Sequence, residues 1–203
     1  MKIVRTEILI DAGGVGKSKE WAKRYDEICK AIETIEWPPG SGAFTLYDEP
    51  GKEAGMGNGV TPIKAACMAR LKNDFGWSLE TGIRVGTVKL KGRVDATCPM
   101  DDRLLALEWE TGNISSSHRA LNKMCLGMLN GTLIGGVLIL PTRTMYHYLT
   151  DRVGNIAEVE PYFPLWRAVP ITAGLLAVIV IEHDAVSRDV PRIPKGTDGR
   201  ALR

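Results

Sequence analysis

Two short runs, Ile134–Leu140 and Leu175–Ile181, carry no polar side chain. A strand with one face in water alternates apolar and polar residues, so an unbroken apolar run points to a strand covered on both faces. A third candidate, Arg103–Glu110, is apolar from Leu104 to Leu107 and ends in Glu108-Trp109-Glu110. Between it and the Ile134 run lies a helical segment with an apolar stripe of Leu121, Met124, Cys125, Met128 and Leu129. Ser115–Ser117 open that helix and Gly131 closes it, both residue types favoured at helix ends. Strands alternating with helices in this way build an α/β layer fold.

The remaining segments fit around that core. Residues 1–10 alternate like a strand, and Glu20–Glu36 places Trp21, Tyr25, Ile28, Ile32 and Ile35 near a helical period before Pro38-Pro39 stops it. Residues 38–60 read as a Gly- and Pro-rich loop with a short extended piece at Ala43–Tyr47, and Pro62–Leu71 reads as a helix. From Val186 on, Pro191, Pro194, Gly196 and Gly199 predict an irregular C-terminal arm. The 203 residues suffice for one well-buried core and not comfortably for two, so one domain over 1–203 is expected.

Composition excludes several classes. No apolar run approaches the roughly 20 residues needed to span a bilayer. The start MKIVRTEILIDAGG interleaves charge with apolar residues, unlike a signal peptide, so a cytoplasmic protein with no membrane partner is expected. Cys29, Cys67, Cys98 and Cys125 form no C-x-x-C pair, and His118, His147 and His183 lack metal-ligand spacing. They read as packing residues of a reducing compartment, not as a zinc site. A net charge of +2 rules out a polybasic binder, but leaves room for local contact with DNA. Arg84–Arg93 and the tail with Arg188, Arg192, Lys195, Arg200 and Arg203 are locally basic, and each taken alone is a solvated face.

The chemistry concentrates at Asp95, Glu108 and Glu110. On a strand, side chains alternate faces, so the two glutamates point one way and Trp109 the other. A neighbouring ladder that brought Asp95 beside them would gather hard oxygen donors, which repel one another unless a cation neutralises them. Mg²⁺ suits such a set, held by one or two carboxylates with water and substrate phosphate. Such an ion can activate water and stabilise the leaving oxygen of a phosphodiester. An E-x-E on a strand is by itself more often an exposed polar face. Here, though, it ends an otherwise apolar strand and runs straight into the polar junction Thr111–Ser115.

A competing motif stands at residues 13–18, GGVGKS, between a strand-like and a helical segment, the context of a phosphate-binding loop. Read alone, it points to a P-loop-type NTPase. The full pattern requires Gly at position 11, where Asp11 stands. The alternative is a flexible turn with a solvated Lys17.

Five further stretches carry a family resemblance: EWETGNISSSHRALNKM from Glu108, NGVTPIK at 58–64, YLTDRVGN at 148–155, EPYF at 160–163 and PKGTDG at 194–199. In order and spacing they resemble the BamHI family of type II restriction endonucleases. The matched blocks run from about Trp37 to Arg200, and the first 36 residues match poorly. The resemblance implies a restriction-endonuclease-like core, a central mixed β-sheet flanked by helices on both faces. It implies a homodimer on double-stranded DNA, with Mg²⁺ as cofactor, Mn²⁺ as substitute, and Ca²⁺ supporting binding without efficient cleavage. The implied target is the palindrome GGATCC, cut after the first G to leave 5′ GATC overhangs, with no nucleotide cofactor.

By position, the resemblance makes Asp95 and Glu108 metal-binding acids and Glu110 a proton acceptor. Glu80 becomes a further active-site acid, counted with the metal-binding set and alternative to Glu110 as base, and Lys64 a lysine near the DNA. Asn113, Ser115, Arg119, Asp151, Arg152, Asp198 and Gly199 become residues that read bases. Independently of the family, Arg pairs bidentately with guanine and Asp accepts from cytosine, so Asp151-Arg152 can read one G·C pair. A non-cleaving DNA-binding module is the remaining alternative, and its acids would repel phosphate with nothing to offset them. Two-fold pairing is expected through the helix 115–130, whose stripe of Leu121, Met124 and Met128 offers surplus apolar surface, with 155–166 beside it.

Overall fold

The computed structural model describes residues 1–51, 55–84, 91–150 and 153–195, with the backbone alone at Arg84 and Lys91. The two apolar runs become the strands β6 (Leu133–Pro141) and β7 (Gly174–Glu182), buried along essentially their whole length. They pair in parallel with each other, and β5 (Arg103–Trp109) joins β6 in parallel on the other side. Parallel neighbours need a crossover, and α3 (Ile114–Leu129) supplies it between β5 and β6. β1 (Lys2–Ala12) closes one edge antiparallel to β7. The other edge extends through β4 (Lys91–Met100) and β3 (Ser78–Arg84), both antiparallel. The result is a mixed six-stranded sheet in the order β1-β7-β6-β5-β4-β3.

Helices cover both faces, as expected. On one, α1 (Lys19–Glu33) and α2 (Thr61–Phe75) bury Ile28, Ile32, Cys67 and Leu71 with Trp77 against the sheet. On the other, α3 packs with the short helices α5 (Ile156–Val159) and α6 (Phe163–Arg167) around Leu121, Met124, Phe163 and Trp166. A further turn of helix, α4 (Arg143–Tyr146), follows β6. α3 lies close on β6 because Gly136 has no side chain: a Cβ there would come within 2.5 Å of Met124 Sδ. Burial pushes the Cys67 and Cys98 thiols up to about 12. They are inert packing residues, in line with the reading of the four free cysteines.

Two expectations need correction, and two strands lie where no element was expected. β3 and β4 are strands that patterning does not flag, since SLETGIR and KGRVDATCPM neither alternate cleanly nor run apolar. The C-terminal segment begins with a short strand, β8 (Ala185–Ser187), which pairs in parallel with β2 (Thr45–Tyr47), and is irregular only over the described residues past it, where Ile193 is nevertheless buried. Leu121, Met124 and Met128 offer no surplus apolar surface, because all three are spent on the core, and only Leu129 of that stripe is left exposed. The large apolar residues left exposed on α3 are Leu126 and Leu129, with Leu165 on α6 and Tyr162 just before it.

One buried side chain gathers distant parts of the chain. Asn58 Oδ1 accepts the amides of Tyr47 and Ile193, both at 3.2 Å, while Nδ2 donates at 2.9 Å to the carbonyls of Tyr47 and Tyr148. Its neighbour Gly59 lies so close to the C-terminal segment that a Cβ would come within 2.0 Å of the Pro194 carbonyl oxygen. The block NGVTPIK thus begins with a structural joint, and α2 starts from it.

Candidate active site

The β4–β5 ladder does what the carboxylate pattern requires. Ala96 pairs with Leu107 in antiparallel register, so the next positions, Asp95 and Glu108, face each other across the ladder. Asp95 is buried, and its Oδ2 accepts the Trp109 amide at 2.8 Å. Its Oδ1 accepts from Lys64 Nζ on α2. Glu108 Oε1 is held in the same way by Lys123 Nζ on α3. These groups line one polar cavity of about 200 Å³ together with Glu110, Thr111, Ser116 and Arg119.

Each acid has its own electrostatic setting. Burial pushes the Glu108 carboxyl up, with Asp95 adding to the rise, and Lys123 and Lys64 pull against it. Burial likewise raises Glu110, although its oxygens accept from the Ser117 hydroxyl and the Gly112 amide, both at 2.5 Å. Glu110 sits just past the end of β5, so its side chain turns to the start of α3 and does not complete a tight triad. Among the described residues, no group of three His, Cys, Asp or Glu converges as a metal site. Asp95 and Glu108 do converge, and a two-carboxylate set of hard oxygens fits Mg²⁺, which keeps several waters of its own.

Glu80 stands on β3 at the position opposite Asp95, with a left-handed φ of 51°. It lines a second, larger cavity of about 570 Å³ that shares Lys64, Asp95 and Thr111 with the first. Asp95 and Lys64 thus form the wall between Glu80 and Glu108. Asn113 is the N-cap of α3 and accepts the Ser115 amide at 3.1 Å; both residues are exposed, and neither lines the cavity, although their neighbours Gly112 and Ser116 do. Arg119, one turn on, donates to Ser116 Oγ at 3.1 Å. Asp151, Arg152, Asp198 and Gly199 lie outside the described residues.

Lys123 is the site residue that sequence reading passes over. A lone lysine on an amphipathic helix looks solvated. The available signal was its spacing from Ser116 and Arg119, which puts all three on one helical face beside the acids. The competing loop resolves differently from a phosphate site. Residues 15–17 form a single tight turn, and the Gly16 amide, which a phosphate would need, donates to Asp11 Oδ1 at 2.9 Å.

The family model described as restriction endonuclease BamHI matches residues 1–200. The chain belongs to the BamHI family of type II restriction endonucleases. The match includes the first 36 residues, where sequence reading found little likeness. The type II restriction enzyme OkrAI of Oceanobacter kriegii is 50% identical over 203 residues, the full length of both chains. The type II restriction enzyme BamHI of Bacillus amyloliquefaciens is 33% identical over 195 residues, covering 93% of this chain and 87% of that one. Among solved structures, the restriction endonuclease BglII complexed with a DNA 16-mer superposes with a TM-score of 0.62 at 10% identity, covering 89% of this chain and 79% of that one. That likeness confirms the restriction-endonuclease-like α/β fold. Family membership makes the protein a site-specific endonuclease, of a kind that works with a divalent metal. Among the described residues, no helix is long and apolar enough to cross a membrane.

Proposed function

We propose that this endonuclease acts in the cytoplasm as a homodimer that hydrolyses both strands of double-stranded DNA at GGATCC, after the first G, with Mg²⁺. The observation that carries the chemistry is the facing pair Asp95 and Glu108, wired to the Trp109 amide and to two lysines within one polar cavity. Those two carboxylates would hold the ion, which supplies charge to offset the phosphate and acidifies the water it binds.

The chain's own groups do the rest. Glu110, buried and pushed towards protonation, is suited to take a proton from the attacking water, whose oxygen bonds to phosphorus as the phosphodiester oxygen leaves. Glu80 is the other candidate for that proton, reached from the far side of Asp95. Lys64 offers a positive charge to the backbone phosphate once DNA approaches. Arg119 on the cavity wall and the exposed Asn113 and Ser115 at the start of α3 would read base edges, and Asp151, Arg152, Asp198 and Gly199 complete the reading set. The palindrome favours a two-fold dimer that uses one such set per half-site. Its contact falls on the exposed Leu126, Leu129, Tyr162 and Leu165, in place of the buried α3 stripe.

The deciding experiment is incubation with plasmid DNA and Mg²⁺, followed by sequencing of the ends. Ends reading 5′ GATC within GGATCC are expected. Cleavage at another palindrome would sink the specificity assignment, and intact plasmid would sink the catalytic one.

A further inference from the structure

Lys123 holds a guarded charge at the heart of the cavity. Its Nζ donates to Glu108 Oε1 and, at 2.5 Å, to the main-chain carbonyl of Arg93. Arg93 lies on β4 two residues before Asp95, Glu108 lies on β5, and Lys123 itself lies on α3. One ammonium therefore ties three elements around the site. The Lys123 and Glu108 side chains are only 17% and 13% exposed, so little water screens the contact. Arg119, the neighbouring cation on the same helix, is engaged by Ser116 and does not take this place.

We infer that Lys123 is a positioning residue of the cation site and at the same time its built-in competitor: it fixes the Glu108 carboxylate, and must yield Oε1 before a divalent cation can take it. The inference rests on the proposed role of Asp95 and Glu108 as cation ligands. An ammonium and a dication on one carboxylate oxygen repel each other strongly in a shielded cavity. The Arg93 carbonyl gives the displaced ammonium a bond that it already has, so release from Glu108 does not strand a buried charge. A lysine on a solvated helix face would have no influence on metal affinity, and a mere structural brace would weaken metal binding when removed. Loss of any nearby positive charge eases cation binding, so it is the dependence of the gain on Glu108 that marks a competitor for its oxygen.

The test measures Mn²⁺ bound to the DNA-free protein, by electron paramagnetic resonance of the free ion. Lys123→Met keeps the aliphatic stem and removes the charge, and it should bind Mn²⁺ on the order of tenfold more tightly than wild type. Lys123→Gln, which retains a donor for the Arg93 carbonyl, should show the same gain and serves if the methionine variant fails to fold. Lys123→Arg should remain close to wild type. The gain should vanish when Glu108→Gln is added. Unchanged or weaker Mn²⁺ binding in a folded, charge-neutral Lys123 variant would overturn the inference. Glu108→Gln alone reports on the underlying reading: if it leaves Mn²⁺ binding of the otherwise wild-type protein intact, Glu108 is no ligand, whatever Lys123 does.

Discussion

Asp95 and Trp109 are joined across the β4–β5 ladder, the carboxylate of one accepting the main-chain amide of the other at 2.8 Å. The bond separates two jobs of one side chain. Asp95→Asn keeps an oxygen for the amide and should fold with little loss of thermal stability. It should nevertheless cleave DNA at least about 100-fold more slowly, as losing several kcal/mol of charge stabilisation implies. Asp95→Ala should add a stability cost of about 1–3 kcal/mol, because it leaves a buried amide without an acceptor. Paired melting curves and cleavage rates check both. Equal stability of the two variants would refute the structural half.

Glu110→Ala should abolish cleavage yet retain specific binding, since its carboxylate is engaged by Ser117 and Gly112 and by none of the proposed base readers. Binding is measured by titrating labelled duplex in Ca²⁺, which should support association but little cutting. A fully active Glu110→Ala would transfer the proton-accepting role to Glu80.

Base readers and phosphate contacts should part company in titrations on cognate, outer-pair-variant and random duplexes at two salt concentrations. Each bidentate contact is worth about 1–3 kcal/mol and counts twice in a dimer, so Arg152→Ala should erode discrimination at the outer G·C pair by roughly 30- to 10,000-fold. Lys64→Ala should weaken all duplexes alike and flatten the salt dependence. If Arg152→Ala weakened every duplex equally, Arg152 would be a backbone clamp.

Lys17→Ala should leave cleavage within a few-fold of wild type, and added ATP should change nothing. The Gly16 amide is already committed to Asp11, so the loop has no cradle to offer a phosphate. ATP hydrolysis lost in this variant would revive the nucleotide reading.

Acid should reveal Asp184. Burial opposes its charge, but the Phe44 amide and the chain's amino terminus outweigh that and hold the carboxyl below its ordinary 3.8. A carboxyl depressed in the folded state adds stability above its unfolded value, and loses it as pH falls through the folded one. Asp184→Asn should therefore melt roughly 2–4 °C below wild type near neutrality, the shift that about 1 kcal/mol produces in a domain of this size. The gap should close below the ordinary aspartate range. A gap independent of pH would exclude a charge effect.

The layered sheet was legible because β6 and β7 are buried on both faces and leave polar side chains no place. β3 and β4 were not, because their faces look onto cavities and an edge, so Glu80, Asp95 and Arg93 break the pattern that burial would impose. The site followed the same rule. Glu108 and Glu110 stood out as acids ending an apolar strand, whereas Asp95 sat on a strand without a clear pattern and Lys123 was hidden among the ordinary polar residues of a helix. The expected use of Leu121 and Met128 failed for want of knowing how much of α3 the sheet would cover. Periodicity reports which face is apolar, not what lies against it.

The joint at Asn58 has a bearing on biosynthesis. Its side chain binds segments near residues 47, 148 and 193, and α2 with Lys64 departs from it. A chain emerges from the ribosome amino end first. The Asn58 acceptor therefore waits for the Ile193 amide until 135 further residues have been made. The corner from which α2 and Lys64 depart is thus late to lock, and a half-made nuclease leaves the wall of its own active site unfinished.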